Sequence, residues 1–133
     1  MGEQPFYIKQ TDKSFEEAVE SVFKSAKDFG FNVTAEHKLH ETYAKNNLEW
    51  GKKYEILSIC NPQKSHFALS LDLKLGCFMP KNIIVFEDDN GQVNIMFMKG
   101  DPQKMDMLFP GTNIGEHSDG VMSDLANIIN KSV

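Results

Sequence analysis

Apolar side chains recur at spacings of three and four over Phe15, Ala18, Val19, Val22, Phe23, Ala26 and Phe29, while Glu16, Glu17, Glu20, Lys24 and Lys27 take the opposite side. That period predicts an amphipathic helix over about 15–29. Ser14 and Glu17, three residues apart, have the spacing of a capping box, and Gly30 offers the left-handed residue that ends the helix. On either side of it the chain reads as β-structure. Phe6 to Lys9 is a short run, and over 31–37 Phe31, Val33 and Ala35 alternate with Asn32, Thr34 and Glu36. Residues 38–51 show no clear period and are expected to form a long loop or a broken helix, of a length that often carries function.

From Tyr54 to Cys60 the β-branched and aromatic content predicts a strand. Asn61 then suits an N-cap and Pro62 the first helical position, since proline pre-sets φ where no N–H is needed. A helix of about ten residues should follow, with 72–76 returning the chain. The stretch from Cys77 to Met98 reads as two strands around Asn90-Gly91, the pair favoured by a two-residue type I′ hairpin. That turn would set Phe86 opposite Ile95 and Ile84 opposite Phe97 on one face, leaving Ile83, Val85, Met96 and Met98 on the other. Both faces would then be apolar, so the side not covered by helices would have to meet a further element, a ligand or a second subunit, and a homodimer is expected.

The last third opens with Asp101-Pro102, again a cap and first turn, followed by a helical piece to about Phe109 and a break at Pro110-Gly111. Ile114, Val121, Met122, Leu125, Ile128 and Ile129 fit one stripe of a final helix, weakened by Gly115 and Gly120. The sum of these elements is one α+β domain over 1–133, without repeats or linkers.

Composition narrows what such a domain can do. With 133 residues, 41% of them hydrophobic and 25% charged, the chain is an ordinary folded domain. No wholly apolar run is longer than that from Ile83 to Phe86, far short of the ~20 residues of a membrane span. The opening MGEQPFYIKQ shows no export signal, and Phe6 stands where a myristoylation motif has Ser or Thr, so a cytoplasmic location is expected. There Cys60 and Cys77 should remain free thiols. The net charge is −5 and all fourteen basic residues are lysine. Without arginine the chain lacks the usual bidentate grip on phosphate or guanine, which argues against a nucleic-acid partner.

No catalytic or cofactor motif of the hydrolase, nucleotide or dinucleotide type is present, which weighs against an enzyme and predicts no cofactor. His37, His40 and Glu41 form H-x-x-H-E, an incomplete metal pattern read here as solvated histidines. Glu87-Asp88-Asp89 sits in the hairpin turn without the alternating ligand spacing of a calcium loop. The seven methionines are read chiefly as core.

The segment YEILSICNPQKSHFALSLDLKLGCFMPKNIIVFEDDNGQV has a specific order of parts: an apolar strand into Cys-Asn-Pro, a short helix, a Leu-Gly-x-x-x-Pro return, and a hairpin with an acidic turn. It resembles the bacterial and archaeal family catalogued as domain of unknown function 302, and SFEEAVESVFKSAKDFGFNVTAE resembles that family's opening helix and strand, so the likeness spans about 6–130. The resemblance implies a compact two-layer sandwich, a mainly antiparallel sheet with helices packed on one face, and a dimer. By motif it carries to Cys60, Asn61 and Pro62, to Gly76 and Pro80, and loosely to Glu36 and Lys45, with no chemical role attached to any of them. The loop before Tyr54 is longer here, through NNLEWGKK.

Two functional classes follow. The first is a dimeric, non-catalytic module that binds a small ligand or a protein partner near the Cys60-Asn61-Pro62 turn, where the Gly76 to Pro80 return, with Cys77, and the 38–51 loop converge. The second is a thiol enzyme or sulfur-handling protein using Cys60, whose thiolate a helix N-terminus would favour if the side chain faces the opening. Against this stands the reading of Cys60 as a small apolar residue tucked under the helix.

Overall fold

Ser14 opens the first helix as the capping-box spacing requires. Its hydroxyl accepts from the Glu17 N–H at 3.1 Å, and Glu17 Oε1 accepts from the Ser14 N–H at 3.2 Å. The structure, a computed structural model, describes residues 4–133. The reading of the extreme start of the chain as free of a leader or acylation signal therefore concerns, in part, positions outside that range.

Strand β1 (Phe6–Thr11) leads into helix α1 (Phe15–Asp28), strand β2 (Asn32–Lys38), helix α2 (Leu39–Lys45) and strand β3 (Tyr54–Cys60). The unpatterned stretch before β3 is thus a helix of two turns followed by a loop. Helix α3 (Pro62–Leu71) begins at the Asn-Pro signal, and a 3-10 turn (Leu73–Phe78) brings the chain to strands β4 (Lys81–Glu87) and β5 (Val93–Met98). Helices α4 (Pro102–Leu108) and α5 (Ile114–Ser132) complete the domain. The five strands form one antiparallel sheet in the order β1-β5-β4-β3-β2.

Helices α1 and α5 cover one face of this sheet. Ala18, Val22 and Ala26 from α1 and Leu125, Ile128 and Ile129 from α5 meet Leu57, Ile59, Ile83, Val85, Ile95 and Phe97, all essentially removed from solvent. Burial of this kind contributes roughly 1.5–3 kcal/mol per large side chain, and it is the main source of stability here. A smaller cluster of Ala68, Leu75, Met105, Phe109 and Ile114 joins α3, the 3-10 turn, α4 and the start of α5 at one end of the sheet. Gly115, expected to weaken the last helix, is instead required there. A Cβ at that position would collide with the Pro102 carbonyl and the Asp106 carboxylate, which accepts the Gly115 N–H at 2.7 Å.

The β4–β5 turn corrects the expected register. Asp88 Oδ1 accepts the amides of Asn90 and Gln92 at 2.9 and 3.0 Å, the Asp88 N–H donates to Gln92 O at 2.9 Å, and Gly91 adopts φ +76°. The loop is therefore the three residues Asp89, Asn90 and Gly91, with glycine in the left-handed position, and not a two-residue type I′ turn. One extra loop residue shifts the pairing by one: Ile84 lies opposite Met96 and Val85 opposite Ile95. A slip of one sends side chains to the other face. Ile83 and Val85, expected on one face with Met96 and Met98, are instead buried beneath the helices with Ile95 and Phe97. The face away from the helices carries Ile84, Phe86, Met96 and Met98, extended by Phe6 and Ile8 of β1, which pair with Met98 and Met96. Phe6, Ile8 and Met98 are 48%, 47% and 66% accessible, so an apolar sheet face does remain open, with a different membership from the one expected.

Candidate functional site

Asn61 ties three elements together at the carboxyl end of β3. Its Oδ1 accepts from the Lys64 N–H at 3.1 Å and caps α3, while its Nδ2 donates to the Phe29 carbonyl at the end of α1. Gly30 must stand beside it: φ is +80°, and a Cβ there would lie 2.9 Å from Asn61 Nδ2. This junction forms one wall of a cleft closed by α3, the 3-10 turn, α4 and α5. The lining is mostly apolar, with Phe31, Ile59, Leu75, Met105 and Val121 at its base. Its volume is about 70 Å³, which holds a fragment of a few heavy atoms, against the ~300–1,000 Å³ of sites that enclose a whole drug-sized ligand.

Besides Asn61, Ser65 and Ser118, four polar side chains reach this cleft. Cys60 is half-buried, and its thiol lies 3.6 Å from Ser65 Oγ; among the described residues it has no histidine or lysine hydrogen-bond partner. Lys64 is bound to Asp124 at 2.7 Å, a link from α3 to α5. His117 packs its ring 5.0 Å from Phe67, and burial, helped by the positive charge of Lys64, holds its pKa below the usual histidine value, so the imidazole is neutral at pH 7. Lys81 enters from β4. Burial pushes its amine below the ordinary lysine range, and it has no carboxylate partner among the described residues.

Of the residues singled out from sequence, Cys60, Asn61 and Pro80 line this cleft. Pro62 starts α3 but is exposed, and Gly76 and Cys77 face solvent while their neighbours Leu75 and Phe78 form the wall. Lys45 is exposed at the end of α2 and does not line the cleft. Glu36 and His40 lie elsewhere, whereas His37 points to the open face of the sheet opposite Ile56. The two histidines of the H-x-x-H-E pattern are thus separated, and no three described His, Cys, Asp or Glu residues are grouped as metal ligands.

A second cleft, of about 500 Å³, opens between α1, β2, α2 and the amino end of β3. Phe15 and Val19 form its apolar wall, and Glu16, Glu36, Glu41 and Glu55 face Lys38, Lys53 and His40 across it. His40 is fixed with Nδ1 3.1 Å from the Tyr54 amide nitrogen and its ring edge-on to Phe15. Lys53 is held by Glu16 at 2.9 Å. Glu55 is only 2% accessible, and its Oε2 has no hydrogen-bond partner. Burial, reinforced by Glu36 beside it, pushes the Glu55 carboxyl up to about 7.

Sequence reasoning passed over both Glu55 and Lys81, yet each carried a signal. Glu55 stands two and four residues before the core residues Leu57 and Ile59, and Lys81 two and four before Ile83 and Val85. Strand periodicity puts each charge on the buried face.

The architecture recurs in a solved structure. The crystal structure of the uncharacterized conserved protein DUF302 from Bacillus stearothermophilus superposes with a TM-score of 0.87, covering 98% of this chain and 100% of that one at 22% identity, a likeness of fold. No curated protein matches the chain. The model of the family described as "Domain of unknown function DUF302" matches residues 7–132, nearly the whole of the α+β sandwich described above, and the chain belongs to that family.

Proposed function

We propose that this protein is a non-catalytic binding module that works as a homodimer and holds, in the cleft at the Cys60-Asn61-Pro62 turn, a small molecule with an apolar body and an anionic group. The observation that carries this reading is Lys81, an ammonium partly removed from water at the mouth of an apolar cleft with no carboxylate beside it. Desolvating a charge without a partner is costly, and an incoming anion offsets that cost while the apolar base takes the rest of the ligand. The polar groups nearby are supports: Asn61 and the Lys64–Asp124 pair hold the walls, and His117 is an uncharged hydrogen-bonding group.

The dimer rests on the open sheet face. Phe6, Ile8, Ile84, Phe86, Met96 and Met98 form a contiguous apolar surface of the kind that soluble chains usually cover, and a twofold contact is the commonest solution. A cytoplasmic setting fits the two free cysteines. The acidic, arginine-free composition speaks for a small-molecule or protein partner and against nucleic acid.

Titration with sodium butyrate and, separately, with 1-butanol tests the ligand class, read by amide chemical shifts at Asn61, Lys64 and Ser118. Butyrate should bind about tenfold more tightly than the alcohol, and Lys81→Met should remove that preference. Equal response to the two compounds in the native protein would overturn the anionic reading. Light scattering at micromolar concentration should return about twice the chain mass of 15.1 kDa; a monomer would remove the dimer from the proposal.

A further inference from the structure

The second cleft lies at the opposite end of β3 from the proposed ligand site and shares no lining residue with it. Glu55 lies at its floor, with one carboxylate oxygen lacking any hydrogen-bond donor and almost no access to water. Once Glu55 ionises, its carboxylate has about four lone-pair sites to satisfy, and a buried acceptor left unmet is costly. We propose that this cleft is a binding site for an organic cation, in which Glu55 and Glu36 receive a primary ammonium group, Glu41 adds negative charge, and Phe15 and Val19 pack against its alkyl chain.

Four observations select that class of ligand. Carboxylates outnumber lysines four to two in the lining, and one of those lysines, Lys53, is already taken by Glu16 at 2.9 Å. The excess charge excludes an anion. A bare metal ion is disfavoured because no three described side chains of ligating type are grouped for one, whereas an ammonium brings its own three donors and needs only the adjacent Glu55 and Glu36 carboxylates, with solvent in the open cleft taking the third. The apolar wall also accepts positive charge: Lys53 Nζ already lies 5.8 Å from the centre of the Phe15 ring, a cation–π distance. Finally, about 500 Å³ is within the range of small-molecule sites, so an alkyl chain can enter with the charged head.

Binding of a cation at this place is linked to a proton. Glu55 is faced by Glu36 and Lys38 from β2, by His40 and Glu41 from α2, by Glu16 from α1, and by Lys53 from the approach to β3. Burial first and the neighbouring Glu36 second keep its proton on up to about pH 7; Glu41 adds to this and Lys38 opposes it. A cation bound to the carboxylate form must displace that proton, so affinity should climb as Glu55 ionises and level off once it has done so.

The test uses the full chain and n-butylammonium chloride, which keeps its charge at both pH 6 and pH 8, with 1-butanol as the uncharged control. Amide shifts of β2, β3 and α1 should saturate with n-butylammonium and not with the alcohol, and the affinity should be about tenfold higher at pH 8 than at pH 6. Glu55→Gln should weaken binding at least tenfold at pH 8 and flatten the pH dependence. Should that variant fail to fold, Glu36→Gln serves, since it leaves the floor carboxylate in place and should weaken binding several-fold while moving the pH midpoint downward. No saturable response in the native protein at pH 8 would overturn the proposal. So would equal affinity at the two pH values, or binding unchanged in Glu36→Gln.

Discussion

The buried rows of β3 and β4 run antiparallel, and each begins with a charge. On β3 the row is Glu55, Leu57, Ile59; on β4 it is Lys81, Ile83, Val85, with Glu55 paired to Val85 and Lys81 paired to Ile59. The sheet's covered face therefore has a carboxylate at one end and an ammonium at the other, each at the edge of the helical layer. They are treated differently by their surroundings. Around Lys81 the cleft is narrow and apolar, and burial alone shifts its titration. Around Glu55 the cleft is wide and crowded with charge, and burial combines with a second carboxylate. The contrast teaches that a strand can place a charge at the rim of a core at tolerable cost if a cleft opens there, and that the character of the cleft selects the sign of the guest.

Removing the junction that shapes the Lys81 end should have the largest effect. Gly30→Ala forces a side chain into a left-handed residue and against Asn61 Nδ2, so the α3 cap and the bond to Phe29 are disturbed together. The expected loss is about 2–3 kcal/mol, from the left-handed backbone plus a weakened cap, measured by chemical denaturation. The comparison sharpens if butyrate binding falls in this variant while n-butylammonium binding persists, because Gly30 stands against Asn61, which lines only the Lys81 cleft. Equal loss at both would mean that the ends of β3 are not independent.

Glu55 sets the next effect, and its sign can be worked out. The carboxyl titrates at about 7 in the folded chain against an ordinary value of 4.5, so between those values the folded state holds a proton that the unfolded state has released. Stability from this group is complete below 4.5 and is lost as pH rises to about 7. The loss should be on the order of 1–2 kcal/mol, less than a carboxyl with no cleft beside it would give, because the side chain, enclosed while protonated, can turn toward the wide cleft when it ionises. Glu55→Gln should remove this slope, leaving the variant more stable than the native chain at pH 8 and nearly equal to it at pH 4.5. Parallel melting profiles for the two proteins would show that Glu55 is no more perturbed than an exposed glutamate.

How much of this was legible depends on the range over which each signal acts. Ser14-Glu17 and Asn61-Pro62 speak through hydrogen bonds within one helical turn, and both helix starts lie where those residues put them. The hairpin register failed by one residue because Asn90-Gly91 suits two turns. The choice between them is made by Asp88, whose carboxylate gathers two amides of the loop and the Asn94 side chain. Of the site, the Asn61 junction was readable and the two charges were not, although simple alternation from Leu57 and Ile83 would have placed them inward. What no local pattern held was the convergence on Lys81 of α3, the 3-10 turn, α4 and α5, which come from both sides of it in sequence and meet only through tertiary contacts.

The smallest effect belongs to the thiol. Cys60 is on the side of β3 opposite Leu57 and Ile59, half-buried at the rim of the apolar cleft, with a hydroxyl as its hydrogen-bond partner. A hydroxyl does not take a proton from a thiol at neutral pH, whereas a reactive cysteine usually has a cation or an imidazole beside it. Cys60→Ser should then change stability by less than about 1 kcal/mol, since a half-buried sulfur is replaced by a group that keeps the bond to Ser65. It should also leave butyrate binding within about twofold, as the charge recognition resides in Lys81. Alkylation of the native protein, read at each cysteine by mass spectrometry, gives the complementary measurement. Cys77 is exposed on the 3-10 turn and should label at the rate of a free thiol, with Cys60 slower until the chain is unfolded. Butyrate should slow Cys60 further and leave Cys77 alone, because only Cys60 lines the cleft. If Cys60 instead outpaced Cys77 at pH 6, the Lys81 end of the sheet would be a site of thiol chemistry, and the division of the molecule into an anion-binding end and a cation-binding end would have to be redrawn around a nucleophile.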